Sequence, residues 1–191
     1  MSAESNSDSL HSEVWRVSSQ LEQLPPAPET GHLLDDLAAC FGDLALKSEA
    51  ARVETEERIW TIWCDHPDPQ AKAQMALGIG LLAAGDFDQA EAVFDQLIER
   101  HPEWTEAWNK RATVYFLQGR DSASVRDICR TLELEPRHFG ALGGFAQICI
   151  RNGIPSAALA ALERLVTVNP GAPGIAEMIA AMRQNTSNTM H

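Results

Sequence analysis

The chain has 191 residues, with 15 Lys+Arg against 27 Asp+Glu, a formal net charge of −12, 45% apolar and 6% aromatic residues. That length suits one domain with a tail and is enough to bury a core without disulfides. The acidity argues against a free-standing nucleic-acid binder and against docking on anionic lipid, and no apolar run approaches the roughly 18 residues a membrane helix needs.

The first residues, Met1 to Asp8, are polar and acidic, without the basic start and apolar run of a secretory signal, so a cytoplasmic location is expected. Residues 1–32 read as a flexible acidic segment. Within it Leu10, Val14, Val17, Leu21 and Leu24 fall on one helical face. Two readings stand: a disordered tail, or a short amphipathic helix that docks on the rest of the chain or on a partner. Pro25-Pro26-Ala27-Pro28 marks a linker. Residues 33–70 read as a helix pair, 33–46 and 48–65, apolar at Leu37, Phe41, Leu44, Ile59, Trp60, Ile62 and Trp63. This pair is expected to be a degenerate repeat or an N-terminal cap.

Downstream a fixed period governs the chain. Gly85, Gly119 and Gly153 are spaced by 34 residues, as are Pro102, Pro136 and Pro170, and Ala90, Ser124 and Ala158. The units are 71–104, 105–138 and 139–172, each a pair of helices. In the first unit Met75, Leu77, Leu81 and Leu82 form one apolar stripe ahead of Gly85. Phe87, Ala90, Val93, Phe94 and Leu97 form the second, ahead of Pro102. Glycine sits where the backbone leaves the first helix and proline where the second must stop. Ile175, Met178, Ile179 and Met182 predict a capping helix within 173–191, frayed beyond residue 184.

This pattern resembles the tetratricopeptide repeat family. The second unit carries it best, with Trp108, Ala112, Tyr115, Gly119, Ser124, Ile128 and Pro136. The resemblance covers residues 71–172. It implies an all-α, right-handed α-solenoid of helix-turn-helix repeats with helical caps. It also implies that the first helix of each unit lines a concave face that binds a protein or peptide partner. The partner-binding positions carried over are Met75, Ile79 and Leu82, then Asn109, Lys110, Thr113 and Phe116, then Gly144, Gln147, Ile150 and Arg151. Glu106 and Gly140 fall on the same face. Some members grip a terminal carboxylate with a set of basic and Asn side chains. Met75, Ile79, Gly140 and Gly144 stand where that set is needed, so no carboxylate clamp is expected.

The run Phe139-Gly140-Ala141-Leu142-Gly143-Gly144-Phe145 is unusual for a helix, since each glycine costs about 1 kcal/mol relative to alanine. It reads either as close helix packing or as a notch where a partner's backbone approaches. Enzyme signals are weak. Cys40, Cys64, Cys129 and Cys149 include no Cys-x-x-Cys pair, so reduced thiols are expected. Cys64 and His66 lack the further ligands of a zinc set, and no metal, cofactor or catalytic residue is expected.

Charge follows the units. Residues 1–70 carry net −10, 71–104 −4, 105–138 +1 and 139–191 +1. The expectation is a non-enzymatic interaction module, an adaptor or co-chaperone-like scaffold. It would hold a basic or neutral peptide, or an amphipathic helix, mainly by apolar contacts. The alternative is a self-assembling protein joined through the N-terminal helix or the solenoid surface.

Overall fold

The computed structural model describes residues 3–23, 32–46 and 48–189. They form ten helices: α1 (Ala3–Gln23), α2 (His32–Leu46), α3 (Glu49–Cys64), α4 (Pro69–Ala84), α5 (Phe87–Arg100), α6 (Thr105–Leu117), α7 (Asp121–Leu134), α8 (Phe139–Arg151), α9 (Pro155–Val168) and α10 (Ile175–Thr189). Helices α4/α5, α6/α7 and α8/α9 are antiparallel pairs that stack in chain order, and α10 packs on α9. The fold is an all-α solenoid of helix-turn-helix repeats.

The 34-residue period is visible in single hydrogen bonds. Gly85, Gly119 and Gly153 all have left-handed backbones, at φ 79°, 73° and 69°. At each, the glycine N–H and the next N–H turn back onto the helix just ended. Gly85 and Asp86 donate to Leu82 and Leu81, Gly119 and Arg120 to Phe116 and Tyr115, and Gly153 and Ile154 to Ile150 and Cys149. These bonds satisfy carbonyls the helix ends leave open. Ala90, Ser124 and Ala158 lie almost wholly buried where the two helices of each pair cross. The Ser124 hydroxyl also donates to the Ala112 carbonyl at 2.8 Å, so its polarity is satisfied inside the core.

The segment before the repeats folds onto them. Leu10, Val14, Val17 and Leu21 are buried as α1 packs along α7 and α9, on the outer side of the repeats. Arg16 pairs with Glu133, and Gln20 bonds to the Cys129 carbonyl and thiol. Burying four such side chains contributes roughly 1.5–3 kcal/mol each. Leu24 and the proline run 25–28 lie outside the described residues.

Helix α3 takes a different place from a repeat stacked ahead of α4. It runs across the turns that join the repeats. Arg52 lies against Gly171, and Glu56 Oε1 accepts from Asn169 Nδ2 at 2.8 Å. Trp63 stacks on His138 with ring centroids 3.9 Å apart, and its carbonyl accepts from Trp104 Nε1 at 2.8 Å. Just past its end, Asp65 pairs with Lys72 at 2.6 Å. One helix thus ties together the starts of α10, α8, α6 and α4. Helix α2 backs it, with Phe41 between Trp63, Phe139 and the Arg137 guanidinium. At the other terminus α10 continues to Thr189, five residues past the expected start of fraying. Residues 190–191 are outside the described set.

Candidate partner-binding groove

The first helices of the repeats, α4, α6 and α8, share one face, and α3 forms a wall along their N-terminal ends. Two pockets open beside this wall. One, of about 250 Å³, lies between α6 and α8. Its sides are Asn109, Thr113, Phe116, Gly144 and Gln147, and its floor is Ala112, Ile128 and Ala141. The other, of about 390 Å³, lies between α3 and α4, with Trp60 and Cys64 facing Met75, Ala76 and Ile79.

The groove residues expected from the sequence divide accordingly. Asn109, Thr113, Phe116, Gly144 and Gln147 come together at the first pocket, and Met75 and Ile79 at the second. Met75 is only 1% exposed, so it offers a partner an edge rather than a side chain. Leu82 is half-buried and packs against the core formed by α4, α5 and α6. Arg151 lies over the Phe116 ring at 4.2 Å and bonds to Asp121, at the rim. Ile150 is 46% exposed and lines neither pocket. Lys110 stands between the two pockets, its ammonium 5.0 Å from the Trp60 ring and 2.8 Å from Glu106 Oε1.

The glycine run has a mixed explanation. A Cβ on Gly140 would come within 2.5 Å of Trp60 Cη2, so this glycine is required by the wall. A Cβ on Gly143 or Gly144 would meet only ordinary contacts at 3.7 Å. Gly144 therefore leaves room at the mouth of the α6–α8 pocket, and close packing does not demand it.

Glu106 was expected on the open face and is instead fully buried beneath α3. Its Oε2 lies 2.8 Å from His138 Nε2. His138 Nδ1 accepts the Ala141 N–H at 3.1 Å, so the ring proton sits on Nε2 and is donated to Glu106. Burial pushes the Glu106 carboxyl up, but His138 and Lys110 outweigh burial and hold it below its ordinary value. Trp60, Trp63 and His138 are the site residues that sequence reasoning missed. The only signal was the Trp60 and Trp63 pair within 33–65 and the place of His138 at a repeat junction.

Burial raises the thiols of Cys64 and Cys129 to about 11 and that of Cys149 to about 12. None is poised as a nucleophile. Among the described residues no group of three or more His, Cys, Asp or Glu side chains could hold a metal ion. Nor is any described helix long and apolar enough to cross a membrane.

A family model described as tetratricopeptide repeat matches residues 75–132, from within α4 to near the end of α7. The chain carries tetratricopeptide repeats. It is 42% identical over 76 residues to a TPR repeat-containing protein of Rhizobium etli, covering 40% of this chain and 37% of that one. It is 35% identical over 66 residues to DnaJ homolog subfamily C member 3 of Gallus gallus, covering 35% of this chain and 13% of that protein. Over 100 residues it is 29% identical to the peroxisomal targeting signal receptor of Komagataella phaffii, covering 52% of this chain and 17% of the receptor. The chain thus spans well under two thirds of each of these relatives. The match to tetratricopeptide repeats supports a protein–protein interaction module.

Proposed function

We propose that the chain acts without catalysis, holding a peptide or an amphipathic helix in the groove between α3 and the first helices of its repeats. The observation that carries this reading is the pocket between α6 and α8. Its walls are polar at Asn109, Thr113 and Gln147, and its floor is apolar. Such a lining accepts one apolar side chain and offers hydrogen bonds to the backbone on either side of it. The similarity to a protein named as a targeting-signal receptor supports a peptide-sized ligand. The charge of the front half favours a basic or neutral partner.

Peptides selected from a displayed library against the whole chain would test this. The selected set should share an apolar anchor. Gly144→Leu, which fills the pocket mouth, should abolish their binding. Phe116→Ala should weaken it by about 1.5–3 kcal/mol, roughly ten- to hundredfold in Kd. Peptides that bind both variants as tightly as the parent would place the site elsewhere.

A further inference from the structure

The 34-residue period allows the outward face of each repeat's first helix to be compared position by position. In α6 the face that stacks on the preceding repeat includes Ala107 and Val114, both 0% exposed. In α8 it includes Ala141 at 1%, and Phe145 and Ile148 at 0%. The counterparts in α4 are Ala73, Leu77 and Gly80, followed by Ala84 one turn on, and all are exposed. Leu77 is 55% exposed. A terminal repeat normally turns a polar face outward. Here the end of the array is apolar, because α3 crosses the repeat junctions and, among the described residues, leaves the outer side of α4 uncovered.

Two glycines in α4 sharpen this. A Cβ on Gly78 would strike the Phe94 ring at 2.6 Å, so packing within the chain explains that glycine. A Cβ on Gly80 would meet nothing within 4 Å. Glycine weakens a helix relative to alanine, and no contact among the described residues requires this one. A second helix lying against Gly80 gives it a reason.

We propose that this face is covered by α4 of a second copy of the chain, packed antiparallel about a two-fold axis. Leu77 and Gly80 are three residues apart on one face. A two-fold axis between them seats each Leu77 on the partner copy's Gly80 and sets Ala73 opposite Ala84, which is the reciprocity an isologous contact requires. Charge agrees. A chain of net −12 can approach its own copy only through a neutral surface, and no charged residue lies between Lys72 and Asp86. Two acids of α5 reach the other way, Asp95 to Arg111 and Glu91 to Arg120. Antiparallel packing also sets the positive N-terminal end of each α4 beside the negative C-terminal end of the other.

Light scattering coupled to gel filtration, run on the whole chain from about 5 to about 200 µM, tests this across the micromolar range. The chain should reach twice its 20.9 kDa mass and stop there. Leu77→Lys and Gly80→Leu should each remain at 20.9 kDa with helical circular dichroism unchanged, since both positions are exposed and leucine favours helix over glycine. Val53→Lys, on the exposed side of α3, should dimerise normally. A parent chain that stays monomeric, or a dimer indifferent to Leu77→Lys, overturns the proposal. Masses that keep growing past two copies also overturn it, because they indicate a head-to-tail contact.

Discussion

The Glu106 carboxylate and the His138 imidazole, both at 0% exposure, meet at 2.8 Å and join the first helix of the second repeat to the residue that caps the first helix of the third. The contact lies under the Trp63 indole, which stacks on the same imidazole. A neighbouring-repeat interface in a solenoid is usually apolar packing alone. Here a buried charge and its donors hold it.

Removing that charge is predicted to be expensive. Glu106→Ala leaves the His138 N–H and the Lys110 ammonium without their acceptor in a dry site, a loss of about 3–5 kcal/mol. Urea unfolding of the two proteins measures it. Glu106→Gln, which keeps the shape, should lose less, and a result as mild as a surface substitution would show that water replaces the carboxylate.

The same group gives a pH dependence of defined sign. Its folded pKa lies below the ordinary value of 4.5, because His138 and Lys110 favour the carboxylate by more than burial opposes it. The stabilisation is therefore complete above 4.5 and is lost as pH falls through the lower folded value. The stability gap between the parent chain and Glu106→Gln should shrink on acidification below 4.5. A gap that stays constant from neutral to acid conditions would contradict the assignment.

The repeats were legible in the sequence, and the reason is physical. Gly85, Gly119 and Gly153 are fixed by a left-handed backbone, and local geometry of that kind leaves its mark at a single position. The placement of α3 was not legible. Its contacts join residues far apart in sequence, such as Glu56 with Asn169 and Trp60 with Gly140, and no periodicity encodes them. The apolar pattern of 48–65 fits a cap and a strap equally well. The same ambiguity hid Glu106, whose repeat position says open face while its neighbours in space say core. In the groove, the residues between α6 and α8 assembled because repeat position fixed them. Leu82 and Ile150 did not, because their exposure depends on neighbours outside the motif.

Gly140 offers a direct test of the strap. Its missing side chain leaves the space that the Trp60 ring fills at 2.5 Å. Gly140→Ala should therefore destabilise by roughly 1–3 kcal/mol through overpacking, although alanine is the better helix former. Gly143→Ala, whose Cβ meets only Leu165 at 3.7 Å, should be neutral or stabilising. Thermal unfolding of the pair reads the difference, and equal melting temperatures would mean that Trp60 does not sit against α8.

The docking of α1 is predicted to control the chemistry of the Cys129 thiol of α7. Val17 is 0% exposed against α7 and α9, so Val17→Asp places an unpaired charge in that contact and should release the helix. Cys129 lies beneath α1, bonded to Gln20, with burial raising its thiol from 9.0 to about 11. Once α1 leaves, the thiol returns toward 9.0, and its thiolate fraction near pH 8 rises roughly a hundredfold. Cys149, on α8 and 0% exposed, should keep its protection, because α1 packs along α7 and α9. Alkylation of the native chain, mapped cysteine by cysteine with mass spectrometry, distinguishes the outcomes. Selective labelling of Cys129 in Val17→Asp supports a detachable helix. Simultaneous labelling of Cys129 and Cys149 would instead mean that the repeats unfold with it.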